Sequence, residues 1–239
     1  MKKLLFCLAM LPLMLLGQTN EPQILSMLEI TVKQGHHAQF MDGMKKWKEC
    51  YIENKGSDNY SVWRRVQGEG TVYVISGMMA NWAEMDKEDP ASDACYTTVL
   101  NFIMPHVSNV ANNYGWTMPK ISRNPMQNTK VGWVTFFRVN SSSKFMEVVN
   151  AITDAMKAKE GTPRGLWTSV IGGGVDAPDY FVMTPFQSFA EMDKDRDGVW
   201  KVLEDAIGKK KKDEMQEQFQ ASVDDIWSYM YTLNSELSF

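Results

Sequence analysis

The five residues AEMDK occur twice in this chain of 239 residues, at 83–87 and again at 190–194. An apolar run stands before each copy, TVYVISGMMANW at 71–82 and YFVMTPFQSF at 180–189. A repeated phrase of five residues means little alone, but the matching context on its amino-terminal side suggests that two longer segments correspond.

Further matches precede the two phrases in the same order. Trp63 corresponds to Trp167, and the pair Phe40-Met41 corresponds to Phe145-Met146. Anchors that keep their order and nearly constant spacing indicate an internal duplication, with small insertions in loops. The sequence therefore predicts two copies of one structural unit.

Each copy has the same predicted order of elements, βαββαβ. In the first copy, apolar periodicity predicts strands at 24–32, 60–66, 71–78 and 116–121, with helical segments at 36–53 and 82–112. In the second, it predicts strands at 131–139, 165–171, 180–184 and 226–233, a helix capped by one of Ser141–Ser143, and helical residues up to about 223. This order is the ferredoxin-like arrangement. Several strands are apolar on nearly every residue, which indicates sheets covered on both faces.

The chain resembles the dimeric α+β barrel superfamily in the phrase LEITVKQGHHAQF at 28–40, in the strands of Trp63 and Trp167, and in the paired AEMDK phrases. The resemblance implies two tandem ferredoxin-like βαββαβ repeats whose sheets pack face to face as an α+β barrel within one chain. It implies a monomer, because the second repeat replaces the second subunit. The superfamily includes cofactor-free monooxygenases and haem-dependent enzymes, so both activities are alternatives.

The amino terminus predicts export. Lys2 and Lys3 precede the apolar run Leu4–Leu16, which is short for a membrane span and is typical of a secretory signal. We expect a signal peptide at 1–17, a periplasmic or extracellular location, and no membrane span after cleavage. The two repeats then occupy 18–123 and 131–239, joined by a linker at 124–130.

Composition and charge argue against nucleic acid as a partner. The net charge is −4, and no basic patch with interleaved aromatic residues occurs, so nucleic acid is not an expected partner. Cys50 and Cys95 remain after export. They either form a disulfide in an oxidising compartment or serve as two small buried residues on separate helices.

A calcium motif overlaps the second AEMDK phrase. Asp193, Asp195, Asp197 and Glu204 fit the spacing of an EF-hand loop. Only about two helical turns fit between Pro185 and Asp193, and the first copy lacks the acidic pattern. We therefore favour a helix start over a metal site, with structural calcium as the alternative.

The three histidines offer a second cofactor alternative. His36 and His37 begin a predicted helix, whereas His106 follows Pro105 in an apolar stretch and is a candidate haem ligand or catalytic residue. A hydrogen-bonded structural histidine is the simpler interpretation, and we expect no cofactor.

Large strand residues suggest a ligand pocket between the sheets. Its candidate lining is Trp63, Arg65, Tyr73, Trp133, Phe137 and Trp167. An inward arginine, Arg65 or Arg138, would need a partner or an anionic ligand. The leading hypothesis is thus an exported barrel protein that binds a small apolar or aromatic molecule. The alternatives are an oxygenase-like enzyme and an interaction module with a filled core.

Overall fold

The computed structural model describes residues 21–239, so the predicted signal peptide lies outside the described residues. The strands are β1 (Ile24–Val32), β2 (Tyr60–Arg65), β3 (Thr71–Met79), β4 (Val107–Thr117), β5 (Val131–Val139), β6 (Leu166–Val170), β7 (Tyr180–Phe186) and β8 (Val223–Leu233). The α-helices are α1 (His37–Glu53), α2 (Pro90–Ala94), α3 (Tyr96–Thr98), α4 (Ser142–Glu160), α5 (Val199–Ile207) and α6 (Lys209–Ser222). Within these residues no helix combines the length and apolar character needed to cross a membrane.

The eight strands form one closed antiparallel barrel in the order β1-β3-β2-β8-β5-β7-β6-β4. Strands β1 to β4 lie side by side, as do β5 to β8, and two seams join these halves. At one seam β2 pairs with β8, and at the other β4 pairs with β6. The predicted α+β class is therefore confirmed, and a single chain supplies the whole barrel. Residues 124–130, the predicted linker, contain no helix or strand.

The β4–β6 seam depends on a close approach of two backbones. Gly115 pairs with Val170, and a Cβ atom at Gly115 would lie 2.4 Å from Cγ2 of Thr168 and 3.0 Å from the carbonyl oxygen of Ser169. Any larger residue would push the strands apart. Glycine is thus required at this position for barrel closure.

Alternation along the strands divides their side chains between two faces. The outer residues of β1, such as Ile30 and Val32, pack against Phe40 and Met44 of α1. The inner residues of the strands form a separate cluster inside the barrel, contributed by seven strands: Leu25, Met27, Trp63, Val74, Val134, Phe136, Val170, Phe181, Met183, Tyr229 and Tyr231. Large side chains therefore occupy the barrel interior.

The two halves differ in how helices cover their outer faces. In the second half, Phe145 of α4 packs against the sheet, and α5 and α6 form a further cluster against α4 through Leu203, Val202 and Met156. In the first half, the corresponding segment is broken into α2, α3 and short 3₁₀ and π turns between Trp82 and His106. Part of the outer face beside α1 is consequently left open.

Three local predictions were wrong. Strand β4 begins at Val107 rather than near Trp116, because the segment 107–117 pairs with the whole length of β1. Ser141 precedes α4, but its side chain makes no capping hydrogen bond. The AEMDK phrases form short 3₁₀ turns, Trp82–Asp86 and Phe189–Glu191, and α5 begins only at Val199.

Candidate ligand-binding groove

The six residues predicted to line a pocket do not share one cavity. Trp63 belongs to the barrel interior, whereas Tyr73 packs on the outer face against Phe40 with ring centroids 5.0 Å apart. Phe137 and Trp167 stack at 5.6 Å beneath α4. Trp133 is 39% exposed. The structure thus distributes these side chains between the two faces of the barrel wall.

Arg65 and Arg138 are engaged by aromatic rings. The guanidinium of Arg65 lies 4.6 Å from the ring centre of Tyr229, and that of Arg138 lies 5.7 Å from Trp227. Phe136 contacts both of these aromatic rings: it stacks on Trp227 with ring centroids 5.5 Å apart, and its centroid lies 6.2 Å from that of Tyr229. The Nε atoms of both arginines are buried without a hydrogen-bond partner among the described residues. Cation–π contacts partly compensate for that burial.

A groove of about 1010 Å³ lies on the outer face of the first half. Its floor consists of outward-facing strand residues, namely Ser26, Leu28, Tyr60, Ile75, Gly77, Asn112 and Tyr114. One wall is the end of α1 and the loop after it, 54–59, and the other wall is the segment 84–92. The groove lies where the first half lacks the long covering helices of the second.

A disulfide fixes the two walls relative to each other. Cys50 of α1 is bonded to Cys95, which follows α2, with the Cα atoms 5.9 Å apart. Asn54 donates from Nδ2 to the carbonyl oxygen of Cys50 at 2.9 Å. Across the groove, the hydroxyl of Tyr51 donates to Oδ2 of Asp89 at 3.3 Å. The cysteines of the sequence therefore hold the groove in shape.

Two tyrosines supply neutral hydroxyl groups to the groove. The hydroxyl oxygen of Tyr60 is buried without a hydrogen-bond partner among residues 21–239, and the ring packs edge-on against Phe239 at 4.7 Å. Burial raises the pKa of Tyr60 and also that of Tyr51. Both phenols therefore stay protonated at neutral pH.

All three histidines lie together, away from the groove. Nδ1 of His36 is 2.9 Å from Nδ1 of His106, and Nε2 of His37 is 2.7 Å from the hydroxyl of Tyr73. Burial, followed by the charge of Arg64, lowers the pKa of His37. His106 forms no part of the groove lining or of the interior cluster. No histidine lines the groove, so a haem held there would have no histidine ligand.

Two carboxylates of the acidic loop, those of Asp197 and Glu204, lie near lysines. Nζ of Lys159 lies 2.7 Å from Asp197 and 3.0 Å from Asp205, and Nζ of Lys212 lies 3.7 Å from Glu204. Over residues 21–239, no group of three or more histidine, cysteine or acidic side chains is arranged to hold a metal ion. Asp193, Asp195, Asp197 and Glu204 do not converge into such a set.

Solved structures share the architecture. A proposed monooxygenase from Fusobacterium nucleatum superposes with a TM-score of 0.53 at 11% identity, over 89% of this chain and 92% of that one. A proposed monooxygenase from Lactobacillus acidophilus gives 0.53 at 10% identity, over 92% and 99%. A chlorite dismutase variant from Candidatus Nitrospira defluvii gives 0.52 at 7% identity, over 90% and 92%.

The fold is that of the α+β barrels. At these identities the similarity shows the fold alone, and activities vary widely among proteins of one fold. No family model matches the chain, and no curated protein matches it.

Proposed function

We propose that this chain is an exported α+β barrel protein that binds a small, partly apolar molecule in the groove on the outer face of its first half. The observation that carries the proposal is the groove itself, with Leu28 and Ile75 on its floor and two walls tethered by a disulfide. Concave sites of this size are typical of small-molecule sites. The disulfide favours an oxidising, extracytoplasmic location.

We also propose that the two halves arose by duplication, and three equivalent details support this. Phe40 packs on Tyr73 in the first half, and Phe145 packs on Tyr180 in the second. Both central strand pairs also carry a register shift, between Thr31 and Val32 and between Arg138 and Val139.

The third detail is in the AEMDK phrases. Glu84 accepts a hydrogen bond from the backbone N–H of Ala80 at 3.1 Å, and Glu191 accepts one from Gln187 at 2.7 Å. Each glutamate thus bonds the fourth residue before it, in a turn resembling a capping box. A duplicated chain that closes its own barrel needs no second subunit, so we propose a monomer.

The groove is open because the first half lacks the long covering helices of the second half. The second half keeps α5 and α6 packed on α4, whereas the first half has short turns in the same part of the repeat. A recess that holds a ligand accounts for both the missing layer and the tether.

Occupying part of the groove with a large side chain should weaken binding. Asn112 is exposed on β4 and lines the groove, so Asn112→Trp places an indole in the ligand space. With decyl glucoside as a neutral probe, isothermal titration calorimetry should show affinity reduced about tenfold or more.

The matched control is Asn150→Trp, at an exposed asparagine of α4 outside the groove, which should bind like the wild type. Equal affinity for the probe in both variants would contradict the proposed site. Absence of binding to the wild-type protein would contradict it as well.

A further inference from the structure

We infer that the groove selects ligands with a positively charged organic group, such as alkylammonium compounds, an inference that rests on the proposed function. Four carboxylates line the groove, from Asp58, Glu84, Glu88 and Asp89, against two lysines, Lys55 and Lys87. None of the six takes part in an ion pair within the described residues, although several other lysines and acids of the chain do. The lining therefore carries an uncompensated negative charge.

Two of the carboxylates are held in place by neutral donors. Asp89 accepts from the N–H of Ser92 at 3.1 Å and from the hydroxyl of Tyr51 at 3.3 Å. Glu84 accepts from the N–H of Ala80 at 3.1 Å. These bonds orient the carboxylates but leave their charges without a cationic partner. Fixed charges of this kind attract a cation without the entropy cost of ordering a side chain.

Aromatic rings line the same space. Tyr114 lines the groove, and Trp82, which is 42% exposed, meets it edge-on at 5.6 Å. Aromatic faces attract ammonium groups, and quaternary ones above all, because these are weakly hydrated. Ring faces and carboxylates together favour an organic cation over a neutral ligand.

The spread of the charges favours an extended ligand over a bare metal ion. Among residues 21–239 no three acidic side chains converge closely enough to coordinate one. The carboxylates instead lie on both walls of a groove of about 1010 Å³. That distribution matches an extended ligand whose cationic group occupies one part of the groove while its apolar part covers Leu28 and Ile75.

The test compares three amphiphiles with the same decyl chain, each below the concentration at which it forms micelles. Decyltrimethylammonium should bind the mature protein about tenfold more tightly than decyl glucoside, and decyl sulfate should bind most weakly. Calorimetry at low ionic strength measures all three. Added salt should reduce the preference for the cation while leaving the affinity for the glucoside unchanged.

A double variant isolates the charge. Glu84→Gln with Asp89→Asn keeps the acceptor oxygens that bond Ala80 and Ser92, so it should bind decyltrimethylammonium no more tightly than decyl glucoside. The control, Asp154→Asn with Glu214→Gln, removes two exposed carboxylates outside the groove and should retain the preference.

The outcomes separate the two proposals. Equal binding of the cation and the glucoside by the wild type, with both lost in Asn112→Trp, would overturn the inference and keep the groove as the ligand site. A cation preference that survives the double variant would also overturn the inference. Failure of every amphiphile to bind, or binding that Asn112→Trp does not weaken, would overturn the proposed function.

Discussion

Replacing Phe145 with alanine is expected to lower the free energy of unfolding by about 3–5 kcal/mol, the range for a large aromatic residue removed from a packed core. Phe145 is 0% exposed and joins α4 to the sheet of the second half. Its ring centroid lies 5.1 Å from Phe137, 5.3 Å from Tyr180 and 5.7 Å from Phe219. The cavity left behind would be surrounded by rings that cannot collapse into it without leaving their own contacts.

Chemical denaturation of the purified protein measures this loss. The matched control is Phe189→Ala, since Phe189 is 48% exposed and its removal should change the free energy of unfolding by about 0.5 kcal/mol or less. Similar small losses in the two variants would show that Phe145 does not occupy the packed position described for it.

Removing the disulfide should have an effect of similar size. The double variant Cys50→Ser with Cys95→Ser is expected to lower the free energy of unfolding by about 4 kcal/mol, because the bond closes a loop with a sequence separation of 45. The bond also holds α2 against α1, so the segment 84–92 should become more mobile. Because this segment forms one wall of the groove, the affinity for a ligand in the groove should also fall.

Denaturation of the wild type with and without reductant provides the comparison. Reduced wild type should match the double variant, whereas a protein that is equally stable with and without reductant would contradict the cross-link. Peptide mapping of the mature protein under non-reducing conditions identifies the bond directly.

The sequence predicted the elements whose pattern depends only on local periodicity. β1 has the predicted bounds, β5 does as well, and α1 and β3 differ by one residue at one end. Strong alternation or continuous apolar character, with glycine at the ends, determines those segments. The repeated anchors indicated that two such units stand in one chain.

Strand β4 was missed because its pairing is not local. Asn109, Asn112 and Asn113 lower its apolar character, yet the strand lies beside the full length of β1 and gains its hydrogen bonds there. An unpaired edge on β1 would cost more than the weak strand preference of asparagine. Tertiary pairing therefore overrides the local pattern.

The candidate pocket residues do not lie together, for a related reason. Large aromatic residues suggested an internal pocket, but Trp63 fills the barrel with its neighbours, and Phe137 and Trp167 pack beneath α4. The groove instead follows from a difference between the repeats, the lack of long helices after the first AEMDK phrase. The acidic residues Glu84, Glu88 and Asp89, within and just after that phrase, were the available sequence signal, together with the nearby Cys95.

The central claim is that a ligand binds in the groove on the outer face and not inside the barrel. Hydrogen–deuterium exchange of the mature protein, with and without decyl glucoside at saturation, tests it most directly. The account predicts slower exchange in peptides that cover 54–60 and 84–92, with peptides from β5 and β7 unchanged. Protection confined to β5 and β7, or no protection in the two groove walls, would contradict it.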